Sequence, residues 1–281
     1  HGRRPDIVQS PSSGADGPDR LGGVDGMTDA ENTAAAREIG LMNALAKLRQ
    51  RLAHAAEAVG RRPADIELLP VTKFFPASDV AILVKLGCHV FGESREQEAA
   101  AKVIAVAGLL PEPPTPPLNW HMIGQIQRNK AKSIATWANT VHSVSSERVI
   151  DALARATSRA IDEGARTEPL GVYIQLSLDG DVSRGGVDVD DPAGIDALCD
   201  QVAGMPELTL LGVMGIPPLE VDVDAAFARL EIEHHRVLGR HPEATGLSAG
   251  MSGDLELAVK YGSTCVRVGT ALMGRRPLTS P

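Results

Sequence analysis

Aromatic side chains are scarce in this chain. Of 281 residues only 3% are Phe, Trp or Tyr, although 43% are hydrophobic, so the core has to be built from Ala, Val, Leu and Ile. Excess positive charge is also missing. The net charge of −8 argues against nucleic acid or an anionic membrane as the main partner, because both select basic surfaces. Cysteine is sparse as well: Cys88, Cys199 and Cys265 are odd in number and lack metal-ligand spacing. They read as buried thiols of a reducing compartment rather than a disulfide framework. No apolar run reaches the roughly 18 residues of a membrane span, and the N-terminus has no hydrophobic signal core. Cytoplasm is the expected location.

What is present falls into two textures. His1 to Gly26 is Gly, Pro, Ser, Asp and Arg without apolar periodicity, so residues 1–26 are expected to be a disordered extension. The folded part is expected over 27–281, with Met27 as a natural start. Thr28-Asp29-Ala30-Glu31 offers a capped helix start, and Leu41, Leu45, Leu48 and Leu52 recur at spacings of three and four, giving one apolar stripe on a long helix. Short β-rich runs then alternate with amphipathic stretches. The runs are Ile66–Lys73, His89–Gly92, Asn119–Gly124, Thr140–Val144, Leu170–Leu178, Leu208–Ile216, Gly246–Gly250 and Cys265–Gly269. Eight strands with helices between them, in a length that suits about 250 residues of barrel, predict a (β/α)8 TIM barrel. A doubly wound open sheet is the alternative, but no Gly-rich dinucleotide loop follows the first strand.

A barrel works at the C-terminal ends of its strands, and several reactive residues fall there. Lys73 ends the first run. A desolvated lysine amine has its pKa pushed down and can attack an aldehyde to form an imine; a surface lysine starting a turn is the plainer possibility. Gly246-Leu247-Ser248-Ala249-Gly250-Met251-Ser252 and Gly269-Thr270 lie after the seventh and eighth strands, where such barrels often hold phosphate. An amine plus a phosphate site points to pyridoxal phosphate. In Val266-Arg267-Val268 the alternation turns Arg267 to the opposite face from its apolar neighbours, into the barrel. There it would meet either the pyridine nitrogen of that cofactor or a buried carboxylate.

The chain resembles the YggS-like pyridoxal phosphate homeostasis proteins from about Thr28 to Arg276. The resemblance rests on Pro70-Val71-Thr72-Lys73, Phe91-Gly92-Glu93-Ser94-Arg95-Glu96-Gln97-Glu98, Trp120-His121-Met122-Ile123-Gly124-Gln125-Ile126-Gln127-Arg128-Asn129-Lys130, Leu211-Gly212-Val213-Met214-Gly215-Ile216-Pro217, Leu247-Ser248-Ala249-Gly250-Met251-Ser252 and Val266-Arg267-Val268-Gly269-Thr270-Ala271. It implies a single barrel like the N-terminal domain of alanine racemase (fold type III), with the cofactor bound through an imine to Lys73. It further implies that Ser248, Gly269 and Thr270 hold the phosphate, that Arg267 faces the pyridine nitrogen and that Met214 lines the pocket. The implied role is to buffer the cofactor or deliver it to apo-enzymes, and to keep vitamin B6 and amino-acid balance, as a monomer and without a reaction of its own. Two positions depart from the family pattern: Ser94 replaces its usual asparagine and Gln125 its usual histidine.

A pyridoxal-dependent amino-acid racemase or lyase is the alternative within this resemblance, and a structural scaffold is the alternative outside it. Racemisation needs a base on each face of a planar intermediate. Racemases of this fold bring a tyrosine from an added β-domain, which is not expected here, and Tyr173 and Tyr261, the only two tyrosines, are expected to pack away from Lys73. His234-His235 is expected to be a surface pair and no chelate, since adjacent helical residues point about 100° apart. Arg128 to Lys132 is a basic run that steers anions or simply faces solvent. Trp120 and Trp137 are expected to pack, and the Pro111–Pro117 segment to connect.

Overall fold

The computed structural model describes Thr28–Arg276 apart from Glu220, so the extension expected over 1–26 lies outside the described residues. Helix α1 (Asp29–Ala58) starts at a reciprocal cap, in which the Thr28 hydroxyl accepts from the Glu31 N–H and the Glu31 carboxylate accepts from the Thr28 N–H at 2.7 Å. Such a cap satisfies two of the donors that a helix start leaves unpaired. Leu41, Leu45, Leu48 and Leu52 are all buried, as their spacing requires.

Eight parallel strands follow: β1 (Glu67–Pro70), β2 (Val90–Glu93), β3 (Asn119–Met122), β4 (Thr140–Val144), β5 (Leu170–Ser177), β7 (Leu208–Gly215), β8 (Gly246–Ser248) and β9 (Cys265–Val268). The two-residue β6 (Val187–Asp188) pairs onto the end of β5. It was not anticipated, because two residues carry no periodicity. The sheet order is β1-β9-β8-β7-β5-β4-β3-β2. A parallel bridge between Val71 and Gly92 ties β1 to β2 and closes the ring. Around it lie α2 (Ala77–Lys85), α3 (Glu96–Leu109), α4 (Ala131–Trp137), α5 (Glu147–Asp162), α6 (Pro192–Ala203), α7 (Val223–Arg240), α8 (Leu255–Lys260) and α9 (Thr270–Met273). α9 is only four residues long, and α1 packs against α8, α9 and α2 in its place. Arg37 of α1 pins that junction, donating to Asp79 at 2.6 Å and to the Met273 carbonyl at 3.1 Å.

The core lies mainly between strands and helices and is aliphatic, with Phe91 and Trp120 as one aromatic pair at 5.4 Å. Trp137 is buried too. His234 corrects the surface reading: it is buried, with Nε2 at 3.2 Å from the Ala244 carbonyl oxygen, because the inward face of α7 passes through it while His235 stays exposed.

Candidate functional site

Lys73 does not end β1: it lies three residues beyond Pro70, where the strand stops. The β1 ladder finishes with Val71 N–H to the Val268 carbonyl and Thr72 N–H to the Gly92 carbonyl. Phe75 N–H then bonds back to the Thr72 carbonyl and closes a turn around Lys73 and Phe74. Leu69 pairs in register with the inward Arg267, so it faces the barrel interior, and Lys73 follows in the turn just beyond. Lys73 is half-buried at the mouth rather than buried. The neighbouring strand β9 runs from Arg267 into Gly269 and Thr270, and a Cβ at Gly269 would touch Val71 at 3.7 Å. Lys73, Gly269 and Thr270 therefore belong to one sector of the mouth, with Arg267 deeper in the same sector.

Arg267 is the centre of the interior. It is only 5% exposed, and its guanidinium donates to the Ser248 hydroxyl and, at 3.3 Å, to the Gly215 carbonyl. Among the described residues no carboxylate comes within ion-pair distance of it, so the carboxylate alternative is not realised. Burial pushes the guanidinium below its ordinary value. Arginine only donates, so the Ser248 hydroxyl accepts from it. A chain of close contacts runs on behind: Ser248 Oγ lies 2.8 Å from His142 Nδ1, and His142 Nε2 lies 2.9 Å from His121 Nδ1. His121 Nε2 is buried without a partner among the described residues. Burial lowers both imidazoles, His121 to about 4 and His142 well below its ordinary value, so the chain is neutral beyond Arg267.

The structure does not bring Ser248 to Gly269 and Thr270. Ser248 is in register with Cys265, four residues before Gly269, which is about 13 Å deeper along a strand rising about 3.3 Å per residue. Its hydroxyl is already used by Arg267 and His142. The hydroxyl that reaches the rim is Ser252. Gly250, at φ 94°, turns the chain after β8, and the Ser252 Oγ accepts from the Ala271 N–H at 3.3 Å, beside Thr270. The motif held both serines, but only the register tells the deep one from the rim one. Met214 is buried and in register with Ser248, so it forms floor rather than rim.

The rim itself is cationic. The Phe74 ring carries the Arg95 guanidinium at 4.7 Å and that of Arg276 at 3.8 Å, with Lys73 Nζ at 5.8 Å. Such an arrangement attracts anions despite the acidic chain. Ser94 and Gln125, the two departures, line a groove of about 890 Å³ over the start of α3, together with Lys130 and with Arg95, which joins it to the rim. Lys73, Arg267, Ser252 and Gly269 do not line it. In the basic run, Lys130 pairs with Glu96 at 3.4 Å. Neither tyrosine is at the mouth. The Tyr173 ring packs tilted against His142 at 4.6 Å and its hydroxyl lies beside Gly246, at the start of β8 and the opposite end of the barrel. Tyr261 is held by Asp224 at 2.7 Å on the outside. No cluster of metal-ligating side chains occurs among the described residues.

The alanine racemase N-terminal domain family model matches residues 43–277, and solved alanine racemases share the fold. That of Bartonella henselae is 16% identical, with a TM-score of 0.56 over 85% of this chain and 61% of its own. That defines the class as a racemase-type barrel. Curated relatives narrow it. Proteins named pyridoxal phosphate homeostasis protein are 58% identical over 87% of this chain and 96% of theirs in Mycobacterium tuberculosis, and 35% identical over 83% and 95% in Escherichia coli. PipY of Synechococcus elongatus, solved with PLP bound, is 30% identical with a TM-score of 0.69 over 83% of this chain and 100% of its own. The chain belongs to the pyridoxal phosphate homeostasis protein family.

Proposed function

We propose that this protein binds pyridoxal 5'-phosphate at the barrel mouth and buffers it or delivers it to apo-enzymes, as a monomer in the cytoplasm, without turning over a substrate of its own. One observation carries the reading: a buried arginine without a carboxylate partner among the described residues sits beside the strand that leads to Lys73.

The donor set fits the cofactor. Arg267 would face the pyridine nitrogen, kept in place by Ser248 and Gly215. Ser252, Gly269 and Thr270 would hold the phosphate, with Arg95 and Arg276 adding positive potential at the rim. Met214 would form the floor, and Lys73 would meet the aldehyde. When bound, pyridoxal phosphate supplies an aldehyde reactive toward amines and a ring that withdraws electrons. An arginine that stays protonated keeps the ring nitrogen unprotonated, which weakens that withdrawal and favours carriage over turnover. The absence of a tyrosine at the mouth among the described residues supports the same view, and three buried free thiols support a reducing compartment.

The test is to load the protein with pyridoxal phosphate, reduce it with borohydride and map the modified peptide. The adduct is expected on Lys73 and absent in Lys73→Ala; an adduct on another lysine with Lys73 untouched would refute the assignment. Incubation with L-alanine or L-serine is expected to leave chirality and keto products unchanged, and racemised amino acid would favour the enzyme alternative.

A further inference from the structure

A turn is a poor platform for a reactive side chain. Lys73 stands on one, with a four-carbon stem of its own, yet the peptides on both sides of it are held from behind. On the outer side of β1 and β2, under α3, Lys102 is buried at 6% exposure. Its ammonium has three protons and three acceptors: the Thr72 carbonyl at 2.8 Å, Glu93 Oε1 at 2.6 Å and Glu98 Oε1 at 3.1 Å. The Thr72 hydroxyl donates to the same Glu93 oxygen at 2.6 Å. Glu98 Oε1 also accepts from the Phe74 N–H at 2.7 Å. Both residues flanking Lys73 are thus tied to one cluster, and Phe74 is held at φ 69°, a left-handed conformation that bulky residues avoid.

We propose that Glu98, acting with Lys102 and Glu93, is a positioning residue that fixes the Thr72–Lys73–Phe74 turn and so aims the Lys73 amine into the barrel. This rests on Lys73 being the residue that meets the aldehyde. Packing of α3 against the barrel would explain Lys102 and Glu93 by itself. It does not explain Glu98, which lies in the first turn of α3 and whose acceptor goes to the backbone N–H next to Lys73. Removing Glu98 takes away a charge-assisted hydrogen bond to that N–H and one of the three Lys102 contacts, while the buried pair between Lys102 and Glu93 stays.

Glu98→Ala and Glu98→Gln separate aim from fold. In the apo-protein, trace acylation followed by peptide mapping reads how accessible the Lys73 amine is. In the loaded protein, the rate at which borohydride fixes pyridoxal phosphate on Lys73 reads how well it is aimed. Glu98→Ala is expected to slow fixation about tenfold and to raise Lys73 acylation toward that of the exposed Lys47. Glu98→Gln, whose amide oxygen still accepts from Phe74, is expected to stay within about twofold of wild type. Wild-type rates of both fixation and acylation in Glu98→Ala would overturn the proposal, as would a Glu98→Gln protein as slow as the alanine variant. If wild type itself fixes no cofactor, the functional reading fails, and the acylation comparison still judges the clamp.

Discussion

Two buried polar clusters flank the strand that leads to Lys73, and they are built on opposite principles. Inside the barrel, Arg267 is a buried cation whose partners are a hydroxyl, a carbonyl and, behind the hydroxyl, two neutral imidazoles. Outside it, Lys102 is a buried cation with every proton placed, two of its acceptors being carboxylates. A buried charge is costly unless paired. The outer cluster is therefore complete in itself and serves structure, whereas the inner one carries an unmet electrostatic demand that a ligand can satisfy. Burial raises Glu93, but the adjacent Lys102 and the Thr72 hydroxyl oppose that rise. For Arg267 burial wins, opposed only by Cys265, Asp254 and Tyr173, none of which is in ion-pair contact with it.

The sharpest way to break the contrast is to delete each cation in turn. Lys102→Met leaves Glu93 charged and buried without its partner, and is expected to cost about 3–5 kcal/mol, a drop of about 10 °C in melting temperature for a domain of this size. A loss under about 1 kcal/mol in urea titration would show that the outer pair is not the strut described here.

Acid should act on the inner cluster. The folded value of His121 is about 4 against an ordinary 6.5. Between those limits the unfolded chain holds more protons, so stability falls as pH drops through that window, by about 3 kcal/mol at about 1.4 kcal/mol per unit. His142 adds in the same direction, while the raised Glu67 and Glu93 oppose it. Urea midpoints at several pH values should show His121→Gln with a flatter dependence than wild type. Equal slopes would mean that His121 is not held neutral.

Arg267→Met has the smallest expected effect on the apo-protein. It removes an unpaired buried cation and exposes only a hydroxyl and a carbonyl to loss, so stability should change by no more than about 1–2 kcal/mol. The rise in melting temperature on adding pyridoxal phosphate, which follows from selective binding to the native state, should disappear. A variant that keeps this rise would remove Arg267 from the site.

Much of this was legible in the residues. Eight strands alternate with helices because each β-rich run is bounded by an amphipathic stretch, and period two alone turns Arg267 inward. Register was not legible. Ser248 and Ser252 look equivalent in the motif, and only the pairing of Ser248 with Cys265 sets one deep and the other at the rim. The strand expected to reach Lys73 stops earlier because a turn closes on Thr72. The outer cluster left a readable trace: Glu98 and Lys102 are four apart on a helical stretch, the spacing of a side-chain pair. What no local pattern reveals is that this pair also meets Glu93 and the backbone around Lys73, since that depends on how α3 lies against β1 and β2.

The place of α1 has a consequence for how the protein comes into being. The outer ring is completed by a helix that precedes the first strand, bolted through Arg37 to the carbonyl of Met273 near the other end of the described chain. Ring closure is therefore among the longest-range events in the molecule, and it is slow to the extent that distant segments must find each other. Lys73 and Arg267 lie far apart in the chain, on either side of the β1–β9 seam, so the two halves of the proposed site meet only once the ring has closed.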